Sequence, residues 1–233
     1  MGKWAKTITI LLVLAFITHS QWVPFSSFFR NVDTMIHEFG HAMVTLMLSG
    51  TVMNIDLYAD HSGVTRSLVS NRAAMIPIGL SGYVTASLFA WGLFSLYARR
   101  RQTLGLLLIM GVAVGSLLLF VRNGFGMAWL AGFIVLTAVV MLLAPKTVVK
   151  YYYLFIAFLT LEESVTGSVT ILLAAYLHPG QAGDASVLAN VSPVPAIVWG
   201  AGFLVFSLWC AKQAITAFAG RRKETRQTGR FNY

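Results

Sequence analysis

Seven runs of apolar residues divide this chain, at roughly 8–23, 33–48, 73–97, 104–121, 126–144, 152–177 and 194–219. The runs do not alternate polar with apolar, so the period of a lipid-facing barrel strand is missing. Most approach the length of about 20 residues that a helix needs to cross a bilayer. Inside hydrocarbon every backbone N–H and C=O must find its partner within the protein, which leaves helices as the spanning element. Composition agrees, since only 11% of residues are charged, where a soluble domain carries about 25%. Mean hydropathy is +0.73. The expected fold is an all-α polytopic membrane protein with about six to seven transmembrane helices.

The net charge of +9 is not a nucleic-acid footprint, because the basic residues sit in short clusters between the apolar runs. Arg99-Arg100-Arg101 is one cluster and the segment from Arg221 to Arg230 is another. Such clusters mark loops on the cytoplasmic side of a membrane, and a basic tail beside a last span also suits anionic lipid. With seven spans and Arg99–Arg101 inside, Lys146, Lys150 and the tail fall inside as well. The chain is expected to form one membrane-embedded domain, 1–220, followed by a basic, disordered cytoplasmic tail, 221–233. The lone cysteine, Cys210, lies in an apolar run and excludes both an intramolecular disulfide and a thiolate metal site. The N-terminus, "MGKWAKTITILLVLAFITHS", has a basic start and an apolar stretch without a small-residue cleavage pattern, as an uncleaved first span does. Pro24 suits a first helical turn, so the second helix is expected to begin early, through "FSSFFRNVD".

One piece is not helical. In "SGTVMNIDLYADHSGVTRS", Met53, Ile55 and Leu57 alternate with Asn54, Asp56 and Tyr58, the period of a half-buried strand. The turn-forming "ADHSG" follows, then "VTRS". The pattern predicts a short β-hairpin between two membrane helices.

Just before it stands "MIHEFGHAMV". His37 and His41 are four residues apart, so on a helix they share one face, one turn above the other. Two imidazoles so placed reach one zinc ion at about 2.0–2.1 Å. Glu38 neighbours the first of them, where it would serve as general base for a zinc-bound water. Gly40 leaves room for the backbone of a packed neighbour. Buried histidines bonded to other helices are the plain alternative. However, two histidines and a glutamate inside a membrane helix are costly and default to function.

An HExxH in an early membrane helix, a glycine, a hairpin and several further spans resemble the site-2 protease family of intramembrane zinc metalloproteases. More narrowly they resemble its small bacterial and plant-type branch. The stretches that carry the resemblance are "HEFGHAMVTLMLSG", "SGVTRS", "PIGLSGYVTASLF", "FVRNGFG" and "GDASVLANVSPVPAIVWG". They extend over nearly the whole chain, and the first and last are the most specific. The resemblance implies a multi-pass protein of a bacterial cell membrane and a Zn2+ cofactor. It also implies an endopeptidase activity on membrane proteins or peptides in or near the bilayer. No appended peptide-binding domain is visible, so substrate selection is expected to fall to the membrane part or to a partner protein.

A catalytic zinc site needs a third protein ligand. Of the eight acidic residues, Asp56 and Asp60 belong to the hairpin and Glu224 to the tail. Asp33, one turn before His37, suits a cap or a brace for that histidine. Glu162, Glu163 and Asp184 remain. Depth in the membrane favours Glu162 or Glu163, in "TLEESVTG" at mid-span. The resemblance favours Asp184, although the better-known members follow this aspartate with glycine and here Ala185 follows it. Asp184 is taken as the third ligand and Glu163 as runner-up, the loser serving to orient a ligand histidine. Asn123, in "FVRNGFG", is a candidate for hydrogen-bonding a bound peptide. His19, His61 and His178 are expected at surfaces or interfaces. Two rival functions remain at this point: a catalytically silent scaffold of the same fold, and a metal or proton transporter. The intact His37-Glu38-His41 set opposes the first, and the lack of paired broken helices in two similar halves opposes the second.

Overall fold

The structure, a computed structural model, describes residues 26–228 and, outside them, Thr9. The apolar run at 8–23 therefore lies outside the described residues. The first helix, α1, spans Ser26–Met47, beginning just after Pro24 as the sequence predicts. Its buried apolar residues Phe29, Val32, Met35, Ile36 and Ala42 recur at helical spacing and face the core. Its 22 residues give a length of about 33 Å, enough for the hydrocarbon layer. Yet it carries Arg30, Asp33 and Glu38, which set it apart from the purely apolar spans.

The hairpin consists of β1, Thr51–Leu57, and antiparallel β2, Gly63–Leu68. It does not project from the bundle. It folds back along α1, because its polar groups bond to that helix at several levels. Thr45 Oγ1 meets Ser67 Oγ at 3.0 Å, Thr65 donates to Glu38, and Thr34 donates to the His61 carbonyl at 2.8 Å. At the tip, His61 Nδ1 bonds Asn31 Oδ1 at 2.9 Å. His61 thus sits at an interface, as expected, with the left-handed φ of 68° that the tight turn requires. Asp60 Oδ1 accepts from the Ser62 hydroxyl and N–H, and these bonds hold its pKa below the ordinary value.

The strict alternation expected for β1 fails at one point. Ile55 and Leu57 are buried, but Met53 is 58% exposed. The register slips between Val52 and Asn54, and such a bulge re-aims the residue within it. The outer edge of β1 is covered, since Ile55 bridges Val121. Asn123 closes the same edge, accepting from Leu57 N–H at 3.1 Å and donating to Leu57 O. The outer edge of β2 pairs with no described strand.

Five further helices are long and apolar enough to cross a membrane, within Arg72–Ala98, Gln102–Phe120, Gly124–Leu143, Lys146–Leu177 and Ala196–Gly220. They contain α2 (Met75–Ala98), α3 (Gln102–Gly115, then a π turn through Phe120), α4 (Gly124–Leu143), α5 (Lys146–Leu177) and α7 (Ala196–Thr228). With α1 the described residues hold six long helices, and the five candidate spans are close to the expected six to seven. Helix α7 reaches Thr228, inside the basic segment. Helix α2 packs against α1, α5 and α7 and so occupies the middle of the bundle. Between α5 and α7 lies the short α6, Gly183–Val191. It is tied to α2 by Leu188 against Gly79 and by Arg72, which donates to the Asn190 carbonyl at 2.7 Å.

Short turns join the helices, so they run alternately up and down. Arg99–Arg101, Lys146 and the end of α7 therefore lie toward one end of the bundle, and Arg72 and Arg122 toward the other. The positive-inside rule then orients the chain. A reporter fused after Phe231 is expected to register in the cytoplasm, and an extracytoplasmic signal there reverses the orientation.

Candidate metal centre

Helix α1 supplies two imidazoles to one point. His37 Nε2 and His41 Nε2 lie 3.0 Å apart, as the one-turn spacing predicts. Asp184, in the first turn of α6, brings Oδ2 to 3.1 Å from the first and 3.2 Å from the second. Among the described residues this is the group of His, Cys, Asp and Glu side chains whose ligand atoms converge, all within 4.8 Å of one another.

The donor chemistry fits a metal. His41 Nδ1 lies 2.7 Å from the Ile78 carbonyl, so it carries the proton and donates. In the neutral ring Nε2 then bears a lone pair aimed at His37 and Asp184. Three electron-pair donors at this spacing repel one another unless a cation or protons lie among them. Tetrahedral ligands about 2.0–2.1 Å from zinc stand about 3.3 Å from each other, close to the spacing here. Burial works to raise the Asp184 pKa, but charge and hydrogen bonds from His41 and His37, when those rings carry protons in place of a metal, outweigh it and hold the carboxyl below its ordinary value. The hydrogen bond from His41 to the Ile78 carbonyl and the packing of His37 edge-on to Tyr83, 4.6 Å between centroids, fix both rings.

Glu38 is 5% exposed. Thr65 of β2 donates to its Oε2 at 2.6 Å, and Gly63 leaves the space it fills. A Cβ at Gly63 would stand 2.7 Å from Glu38 Cγ. Two cavities meet here, one of about 340 Å³ toward β2 and α6, and one of about 500 Å³ toward the hairpin tip and α5. Glu38 and Asp184 line both.

Glycines of α2 and α1 make the close approach possible. A Cβ at Gly82 would lie 2.4 Å from His37 Nε2 and 2.5 Å from His41 Nε2, so a side chain there crowds the point on which the donors converge. A Cβ at Gly40 would lie 2.7 Å from Thr85 Oγ1 and 3.0 Å from the Ser81 carbonyl, which makes Gly40 the seat for α2. Gly82, Thr65 and Ile78 escape sequence reasoning. The small residues of "PIGLSGYVTASLF" signal only helix packing, and a carbonyl leaves no mark in a sequence.

Glu163 stands apart from the histidines. Its carboxylate is paired with Arg30. Glu162 is 1% exposed and accepts from the Thr166 hydroxyl at 2.7 Å. Asn123 is engaged at both ends of its amide by Leu57 and is not brought to the triad. His178 is exposed at the end of α5.

A family model described as Peptidase M50B-like matches residues 7–214. The chain belongs to that family. The match takes in His37, Glu38, His41 and Asp184 and agrees with the site-2 protease resemblance of the sequence. No curated protein and no solved structure matches the chain.

Three outcomes are expected. Zinc titration in detergent should rank Asp184→Asn far below Glu163→Gln in metal affinity, since a neutral amide is a poor replacement for carboxylate at zinc. His37→Ala and His41→Ala should lose zinc while staying in the membrane fraction. Gly82→Ala should also lower zinc occupancy, and full stoichiometry in that variant would mean that the rings move aside freely.

Proposed function

We propose that the chain is an intramembrane zinc metallopeptidase that hydrolyses peptide bonds in or near the bilayer, with His37, His41 and Asp184 holding the metal. The observation that carries the reading is the convergence of those three donors beside Glu38, in a cavity that continues on both sides. Zinc, when bound there, supplies Lewis acidity for carbonyl polarisation and water activation.

The chain's own residues do the rest. Glu38 takes a proton from the attacking water and delivers it to the amine nitrogen as the C–N bond breaks. Thr65, hydrogen-bonded to Oε2, fixes which oxygen is free for that exchange. The Ile78 carbonyl holds His41 in the tautomer that leaves Nε2 available. A membrane helix hides its carbonyls in its own hydrogen bonds, so a substrate must unwind before it is cut. The free edge of β2 borders the 340 Å³ cavity through Val64, Thr65 and Ser67. It offers backbone partners to an extended segment, as in β-augmentation. The substrates are membrane proteins or peptides, selected by the membrane domain itself or with a partner protein, and the setting is a bacterial cell membrane.

Glu38→Gln separates this reading from a silent scaffold and from a transporter. It keeps the ligand set and removes the base. A single-span peptide should be cut by the native chain and about 10²–10⁴-fold more slowly by the variant, at unchanged zinc content. Equal cleavage by both removes Glu38 from the mechanism.

A further inference from the structure

The cavity of about 500 Å³ has two ends. One is the triad with Glu38. The other is lined by Arg30, Asp33 and Glu163. Glu163 is paired with Arg30, but Asp33 is not so provided. Its Oδ1 is buried and accepts a hydrogen bond from no described residue. Glu162 and Glu163 both lie near enough to act on it electrostatically. Among the residues that line this end, the carboxylates of Asp33 and Glu163 stand against the guanidinium of Arg30.

A buried carboxylate without a donor is costly. Water filling the cavity would give it a donor but no opposite charge. A metal ion would need further ligands converging on the same point, and Asp33 belongs to no such group among the described residues. What matches the deficit is a cation with several N–H donors that enters from the catalytic end. Asp33 precedes His37 by one helical turn on the same face, about 6 Å along the axis. The four-carbon stem of a lysine, or the similar reach of an arginine, spans that gap from a backbone held at the triad.

We propose that this end of the cavity is a specificity subsite for a basic side chain of the substrate, placed close to the scissile bond and paired with Asp33. The proposal rests on the peptidase reading above and adds the class of residue that the site selects. Asp33 binds substrate in this scheme and takes no part in the proton transfers.

Two measurements test it, one without turnover. The first is ligand-observed NMR of n-butylammonium and n-butanol with the full-length Glu38→Gln protein in detergent, loaded with zinc. Butylammonium should bind saturably and butanol should not. Adding Asp33→Asn should abolish the difference, with equal zinc content showing that the fold survives. The second uses single-span peptides that differ only in carrying lysine, norleucine or glutamate at each position flanking the cut. The native chain should prefer lysine over norleucine at one fixed position by about tenfold or more in kcat/KM, and Asp33→Asn should bring that ratio to about one. Butylammonium binding no better than butanol, or equally with and without Asp33, overturns the subsite. So does peptide cleavage without a lysine preference, or displacement of butylammonium by stoichiometric Mg2+, which would make the place a metal site. Saturable butylammonium binding that depends on Asp33, with no peptide cut by the native chain, upholds the cation site and removes the peptidase reading instead.

Discussion

Two imidazole nitrogens and a carboxylate oxygen lie within about 3 Å of one another inside a chain built to sit in lipid. Each is expensive to bury and the three together repel. Much of the bundle serves to keep them there. Helix α2 presents Gly82 where any side chain would displace the rings, and its Ile78 carbonyl accepts a hydrogen bond from His41. Helix α6 is anchored on α2 through Leu188 and Arg72, which sets the height of Asp184. The hairpin supplies Thr65 to Glu38. Four separate elements thus meet at a site whose ligands come from only two.

Local spacing made part of this legible. The histidines and Glu38 can be placed from sequence because four residues of helix return to the same face whatever surrounds them. The hairpin strands follow from a period of two. The direction in which the hairpin folds does not, since it depends on Asn31, Thr34, Glu38 and Thr45 of α1 offering bonds along their whole length. Met53 defeats the alternation because a bulge is invisible in a hydropathy pattern.

The acidic residues teach the opposite lesson. Depth in the membrane rightly singled out Glu162 and Glu163 as needing an explanation. For Glu163 the explanation is Arg30, a residue 133 positions away, which no reading of a single sequence can pair with it. Asp184 lies in a segment that looks like an interfacial turn, and only the docking of α6 onto α2 carries it to the histidines. Asn123 shows the same limit. Its amide satisfies the backbone of Leu57, and thereby closes the outer edge of β1.

The proposed ligand set joins α1 to a carboxylate 143 residues later than His41. A metal bound there as proposed is a clip across most of the chain. Closing a loop of that size removes conformational freedom from the unfolded state worth about 5 kcal/mol by the chain-entropy estimate for a covalent crosslink. The site is also incomplete until the chain has been made through α6. A ribosome-bound protein with only its early helices inserted has the HExxH and lacks Asp184. A centre of the proposed kind therefore cannot assemble before the chain has been made past Gly183.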